Sequence, residues 1–163
     1  MRSSRPRPDG GLGQHGDTIS GRIAVARREG AASGQLFNLL GALDGAFASI
    51  ESNMGEAWHE TVVAVVTEFG RTARINGTGG TDHGTGTVAF LAGGALAGGR
   101  VIVDWPGLKP AQLFEDRDLK PTIDLRAVLK GLLKDHLRVE ENLLASAVFP
   151  DSVDVRPMGG LVG

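Results

Sequence analysis

The sequence predicts an α/β fold in which helices pack on a mostly parallel or mixed sheet. Residues 31 to about 53 carry large apolar side chains at three- and four-residue spacing, which is typical of an amphipathic helix. The run at 61–67 is apolar at consecutive positions, as in a strand that is covered on both faces. A helix followed by a buried strand is the usual order in α/β proteins.

The composition is that of one globular domain. The chain has 163 residues, of which 41% are hydrophobic and 22% are charged, so it has enough apolar side chains to build one core. The net charge of −2 predicts no basic surface for nucleic acids. The chain has no cysteine, which excludes disulfide bonds, thiolate metal sites and thiol catalysis.

Two further strands are predicted after the first. They lie at 88–92 and 100–104, where glycines bound short apolar runs. The charged stretch 113–120 is predicted to be a loop or a short edge strand. The basic segment 1–29 is rich in glycine and proline, which predicts irregular structure before the domain begins.

The second half of the chain is predicted to be mainly helical. An apolar stripe at helical spacing predicts a helix from residue 122 to about 139, with Thr122 as its N-cap and Asp124 in its first turn. A short helix is predicted at 140–148, which Phe149 and a proline end. The Gly- and Pro-containing segment 151–163 is predicted to be a loose tail.

The stretch 62–84 is the best candidate for a chemical site. It leads from the first strand to Glu68 and then, through a glycine-rich loop, to an Asp-His pair. Ligands of open α/β sheets bind outside the carboxyl ends of the strands, where Glu68 is predicted to lie. A carboxylate at a buried strand end needs a partner. Glu68 is therefore predicted either to pair with Arg71 or Arg74 or to serve as an oxygen ligand for a metal.

Asp82 and His83 are the adjacent carboxylate and imidazole at the end of this stretch. A histidine can bind zinc through one ring nitrogen, and an aspartate beside it can supply an oxygen ligand or hold the ring in place. The alternative is a loop histidine next to an Asx-type turn. A third reading uses His83 as the base for a hydroxyl nucleophile, either Thr81 or Thr85.

Nucleotide binding is not predicted. The glycine loop at 77–81 lacks the Gly-Lys-Ser/Thr ending of a phosphate-binding P-loop, and the Rossmann fingerprint is absent as well. The sequence therefore implies no nucleotide cofactor. Three other histidines lie in settings that suggest packing, capping or exposure and are assigned to no site, namely His15, His59 and His136.

Several ordered motifs between residues 30 and 150 carry a resemblance to a known family. They are Gly34-Gln35-Leu36, Val65-Val66-Thr67-Glu68-Phe69-Gly70-Arg71-Thr72, Gly79-Gly80-Thr81-Asp82-His83-Gly84, Gly98-Gly99-Arg100-Val101, Asp104-Trp105-Pro106-Gly107-Leu108, Asp118-Leu119 and Val148-Phe149-Pro150. On these motifs the chain resembles the C-terminal part of the family named domain of unknown function 1501.

That family is similar to the alkaline phosphatase and sulfatase superfamily, whose members are metal-dependent hydrolases of phosphate and sulfate esters. The resemblance implies a partial three-layer α/β/α sandwich over residues 30–150 and a small anionic ester as substrate. It also implies that Glu68 is a strand-end metal ligand and that His83, with Asp82 beside it, is a later one. The metal would be zinc, manganese, magnesium or calcium.

The chain also departs from the family pattern. A Gly-Trp-Asp-Thr-His type motif is expected before the first helix, but Ala24 and Ala26 occupy its acid and histidine positions. The half of the superfamily domain that carries the nucleophile has no counterpart here. We therefore expect a C-terminal portion with little or no activity by itself. The alternative is a non-catalytic interaction or scaffold domain that keeps the fold without a metal site.

The sequence as given predicts a cytoplasmic location. Its positively charged start is not followed by an apolar segment of the signal-peptide type. No apolar run approaches the ~18 residues of a membrane span. Full-length relatives in the family are often exported by the twin-arginine route.

Overall fold

The structure is a computed structural model that describes residues 35–163. The chain divides into two compact units, Met1–Gly41 and Ala42–Gly163. The predictions for the basic segment 1–29, including those for Ala24 and Ala26, lie outside the described residues.

The first predicted helix is confirmed as α1 (Gln35–Met54). Within the second unit it carries a half-buried line formed by Leu43, Phe47 and Ile50, at the spacing that the sequence predicts. The helix ends at Gly55, whose φ of 53° is the left-handed conformation that often terminates helices, and a 3-10 turn follows. None of the helices formed by residues 35–163 is long and apolar enough to cross a membrane.

Four short strands form two small antiparallel sheets. The strands are β1 (Val63–Val65), β2 (Gly70–Arg71), β3 (His83–Gly84) and β4 (Phe90–Ala92). In the first sheet β1 pairs with β4, with Ala64 opposite Leu91, and in the second β2 pairs with β3. The fold thus mixes helices and strands as predicted, but the pairs among the described residues are antiparallel.

The residues of β1 and its surroundings are more exposed to solvent than the apolar run at 61–67 predicts. Ala64 is exposed, and Val66, just beyond β1, is 46% exposed, so the run is not covered on both faces. The predicted strand at 88–92 is present as β4, but the predicted strand at 100–104 has no partner strand among residues 35–163 and forms no ladder there. The stretch 113–120 is a loop that a single bridge between Phe114 and Asp118 closes.

The C-terminal helices begin and end close to the predicted positions. Helix α2 (Leu125–Asp135) starts later than expected because Asp124, and not Thr122, is the N-cap: its carboxylate accepts a hydrogen bond from the Arg126 amide at 2.8 Å. The predicted short helix is a single turn, α3 (Glu141–Leu143), which continues as a π-turn over Leu144–Val148.

The segment that the sequence predicts to be a loose tail is held in place in the structure. Lys130 on α2 donates from Nζ to the carbonyls of Ser152 and Val155, at 2.5 and 3.0 Å. The Met158 amide donates to the carbonyl of Ala127, one turn earlier on α2, at 2.8 Å. The segment therefore crosses α2 and covers its buried face.

The end of the chain also reaches the turn after β4. A bridge joins Leu96 to Val162, and the Ala97 amide donates to the carbonyl of Leu161 at 2.9 Å. Leu161 is 3% exposed. The buried hydrophobic side chains of the described residues are few and lie in the C-terminal half, namely Leu113, Leu132, Leu144 and Leu161.

Candidate functional site

The β2–β3 ladder positions the candidate site residues. Arg71 lies directly opposite His83, and Gly70 lies opposite Gly84. A Cβ added to either glycine would come within 3.0 Å of the facing main chain, so a side chain at these positions would force the strands apart. The glycines of the Phe-Gly-Arg and Asp-His-Gly motifs thus allow the close approach that brings Arg71 next to His83.

The His83 ring stacks on Phe69. The two ring centroids are 4.2 Å apart and the ring planes differ by 4°. Both side chains line an open cleft of about 200 Å³, together with Arg71, Thr67 and Thr87. Arg71 forms no ion pair with the residues that the structure describes. The cleft therefore presents an unpaired guanidinium beside an imidazole, which suits an anionic ligand.

Asp82 has a different set of contacts. Its carboxylate accepts a hydrogen bond from Asn76 Nδ2 at 2.8 Å. The Asn76 Oδ1 accepts from the amides of Thr78 and Gly80, at 3.0 and 3.1 Å, so Asn76 folds the glycine loop as an Asx-type turn. The Asp82 amide donates to the buried Thr72 hydroxyl at 3.1 Å. Asp82 thus fastens the loop to Thr72, the residue that follows β2.

Glu68 is exposed, and it takes part in no hydrogen bond or ion pair among residues 35–163. The predicted salt bridge with Arg71 or Arg74 is not formed. The prediction assumed a buried strand end, whereas water solvates the carboxylate here and no partner is required. Glu68 lies in the chain between Thr67 and Phe69, two of the residues that line the cleft.

The structure brings Arg71 and His83 together but does not collect the three predicted ligands. Within residues 35–163, no group of three or more His, Asp or Glu side chains is arranged so that it could hold a metal ion. His83 lines the cleft and Asp82 is hydrogen-bonded to the loop, and no hydrogen bond or ion pair among residues 35–163 joins either of them to Glu68. The Thr85 hydroxyl donates to Asp118 at 2.9 Å, so in this structure it does not donate to His83 as a nucleophile would donate to its base.

Asp118 is a further residue at this site that the assignment of Glu68, Asp82 and His83 misses. It is 4% exposed, it accepts hydrogen bonds from Thr85 and from Arg117 Nε (2.7 Å), and its main chain bridges to Thr72. It thereby joins the segments on both sides of the ladder. The Asp118-Leu119 motif marks it in the sequence, but nothing local indicates that it is buried.

The pKa of Asp118 lies below its ordinary value of 3.8. The main cause is the hydrogen bond from Arg117, which outweighs the opposing effect of burial, and the Thr85 hydroxyl adds to it. Because the folded-state pKa is lowered, the charged form stabilises the fold above pH 3.8, and this stabilisation is lost as the pH falls.

We therefore expect Asp118→Asn to be less stable than the wild type at neutral pH. The difference should narrow as the pH falls below 3.8, because the carboxyl of the unfolded state then binds a proton and that of the folded state follows at a lower pH. Urea unfolding of both proteins over a pH series measures this difference. A difference that stays constant down to the most acidic pH would contradict the role assigned to the charged carboxylate.

Comparison with known proteins identifies the family. The family model described as "Protein of unknown function (DUF1501)" matches residues 30–148, which is most of the chain. The match covers the β2–β3 ladder, the glycine loop, Asp118 and helix α2. Searches of the curated proteins and of the solved structures returned no significant match. The chain thus belongs to the DUF1501 family, a family of proteins of unknown function.

Proposed function

We propose that residues 30–150 are the C-terminal part of a metal-dependent hydrolase domain of the alkaline phosphatase and sulfatase type. In this proposal the full domain is a three-layer α/β/α sandwich that acts on phosphate or sulfate esters. The chain described here supplies one side of the site. It has little or no activity by itself, because the nucleophile comes from a part of the domain that has no counterpart among its motifs.

The cleft at the β2–β3 ladder is the observation that carries the proposal. The Arg71 guanidinium, which has no ion-pair partner among residues 35–163, and the His83 imidazole line the same open space of about 200 Å³. A guanidinium can bind two oxygens of a phosphate or sulfate group at once. The stacked Phe69 ring fixes the His83 plane, so a ring nitrogen is held in a defined direction. A small anionic ester fits this combination.

The imidazole and carboxylate groups at the site are donors that suit a divalent metal, but they supply only part of the ligands that a metal needs. Imidazole nitrogen and carboxylate oxygen are ligands for zinc and manganese. We assign His83 as the nitrogen ligand and Glu68 and Asp82 as the oxygen ligands; because residues 35–163 do not bring the three together, the rest of the domain would have to gather them and add further ligands. A bound metal would supply Lewis-acid polarisation of the ester. Arg71 would neutralise the substrate charge, and Asp82 would hold the loop that carries His83.

A non-catalytic interaction or scaffold domain is the second candidate. It is favoured by the contacts that Asp82 and His83 already make, since one fastens the loop through Asn76 and the other packs on Phe69. Both residues have structural roles that require no metal. In this reading the family motif preserves the loop and its strand pairing.

Metal binding separates the two candidates. We expect zinc or manganese to raise the melting temperature of the purified chain, since a ligand at 100 times its dissociation constant stabilises a protein by about 2.7 kcal/mol. His83→Ala should lose most of this shift and the bound metal. His59→Ala is the matched control, because His59 is also exposed but lies away from the ladder, and it should behave as the wild type does.

Metal content and thermal unfolding are measured on the same preparations. No bound metal and no shift with zinc, manganese, magnesium or calcium would reject the hydrolase proposal for this chain and leave the scaffold reading. An equal loss of the shift in His59→Ala and His83→Ala would reject the assignment of His83.

A further inference from the structure

Residues 100–107 form a segment without helix, strand or turn whose main chain is unpaired among residues 35–163. No helix, strand, turn or bend interrupts the segment, and no residue in it has a positive φ except Gly107 at its end. Within the described part of the chain, no main-chain N–H or C=O from Arg100 to Leu108 forms a hydrogen bond. Such a segment is a free template for a pairing strand.

Large apolar side chains on this segment are also uncovered. Val101 is 73% exposed, Ile102 46%, Val103 61% and Trp105 60%. Neighbouring side chains of a strand point to opposite faces, so if the segment paired as a strand, exposed apolar side chains would lie on both faces. β-Branched residues favour strands, so the composition of this segment also suits strand pairing.

The charges at the ends of the apolar run indicate what pairs with it. The sequence here is Arg100-Val101-Ile102-Val103-Asp104, with one cation before the run and one anion after it. In an antiparallel pair of two copies centred on Ile102, each Arg100 lies opposite the Asp104 of the other copy. Opposite charges directly across a strand pair stabilise it. A parallel pair in register would instead place like charges opposite each other.

We propose that a second copy of this chain pairs with the segment Arg100–Asp104, antiparallel and about a two-fold axis at Ile102. Each copy contributes the same surface, as in the isologous interface of a two-fold dimer. Asp104 has no hydrogen bond or ion pair among residues 35–163, so its carboxylate is free to pair with Arg100 of the second copy. Arg100 donates from Nη2 to the Gly160 carbonyl, which leaves its Nε and Nη1 donors for the carboxylate. The proposal is independent of the proposed hydrolase site.

Charge reversal tests this pairing on the full chain. The wild type should form a dimer of about twice the 17.0 kDa mass as its concentration is raised in sedimentation equilibrium. Arg100→Asp and Asp104→Arg should each shift the equilibrium toward monomer, because like charges then face each other. An equimolar mixture of the two variants should recover the dimer, since each then meets the opposite charge on its partner.

Cysteine cross-linking tests the register, because the chain has no cysteine of its own. Two copies of Ile102 would lie directly opposite each other, with their Cα atoms about 4.5–5.5 Å apart, a distance that a disulfide can bridge. Ile102→Cys should therefore form a disulfide dimer on oxidation. Val101→Cys should form little alone, but it should cross-link when mixed with Val103→Cys, the residue opposite it.

Circular dichroism of each variant shows whether it has folded. If one charge variant does not fold, the cysteine cross-linking experiment still tests the pairing. A monomeric wild type at every concentration, or equal cross-linking at positions 101 and 102, would overturn the proposal. A mixture of the two charge variants that remains monomeric would overturn it as well. Monomeric wild type would indicate that a strand of another protein or another part of a longer chain covers the segment.

Discussion

Replacing Lys130 with methionine is expected to lower the free energy of unfolding by about 2–4 kcal/mol, since a hydrogen bond from a charged group contributes about 1.5–3 kcal/mol. Lys130 is 2% exposed and donates to the carbonyls of Ser152 and Val155. Methionine keeps the length and the helix propensity of lysine but has no donor. The Val155 carbonyl would lose its side-chain donor and the Ser152 carbonyl would keep only the Val155 amide, so the segment 151–163 would remain attached to α2 mainly through the Met158 amide and the Ala127 carbonyl.

Lys134→Met is the matched control. Lys134 lies one turn further along α2, its side chain is 43% exposed, and it pairs with Glu141 at the surface. An exposed pair of this kind contributes about 0.2–1 kcal/mol, so the control should change little. Denaturant unfolding of both variants provides the comparison. Equal losses for Lys130→Met and Lys134→Met would show that the C-terminal segment does not depend on the buried lysine.

Gly131→Ala is expected to destabilise the protein, although alanine normally favours a helix over glycine by about 1 kcal/mol. A Cβ at Gly131 would lie under 3.0 Å from the Met158 carbonyl oxygen, where the C-terminal segment crosses α2. The contact involves main chain on one side, so a rotamer change cannot relieve it. Overpacking of this kind costs ~1–3 kcal/mol, which outweighs the gain in helix propensity.

The same substitution at Gly45 should have the opposite sign. Gly45 lies inside α1 and is exposed, and among residues 35–163 no atom apart from its chain neighbours and the helix's own backbone lies within 4 Å of the position that a Cβ would take. Gly45→Ala should therefore raise the free energy of unfolding by about 0.5–1 kcal/mol. Thermal unfolding of Gly131→Ala and Gly45→Ala shows whether each substitution lowers or raises the stability of the protein. A stabilising Gly131→Ala would show that the C-terminal segment is not packed on α2 in solution.

The helices could be predicted because their signal is local. The apolar side chains of α1 and α2 recur at three- and four-residue spacing, which is visible from neighbouring residues alone, and Gly55 marks the end of α1. The choice of Asp124 over Thr122 as N-cap could not be predicted, since both residue types cap helices well. That choice depends on how the preceding loop enters the helix.

The strands were harder to predict because a strand depends on a distant partner. The run at 61–67 has the composition of a covered strand, but the fold gives β1 one hydrogen-bonded neighbour, β4, and leaves Val66 exposed. The segment 100–104 has the composition of a strand and no neighbour among the described residues. Composition indicates that a segment can pair, whereas the pairing itself comes from the rest of the fold.

The assignment of Glu68, Asp82 and His83 to a site stays a prediction. The sequence identifies the region that holds them, and the structure pairs Arg71 with His83 from this region in the β2–β3 ladder. The importance of Arg71 and Asp118 follows only from the fold, because their partners His83 and Thr85 lie far from them in the sequence. The attachment of segment 151–163 to α2 was missed for the same reason.

The zinc response of the His83 ring tests the central claim most directly. The chain has four histidines, so substitution of each one assigns its ring signal in an NMR spectrum. During a titration with zinc, the account predicts that the signal of His83 shifts and saturates near one equivalent while the signals of the other three change little. An unchanged His83 signal, or an equal response of all four rings, would contradict the claim that the cleft at the β2–β3 ladder is one side of a metal site.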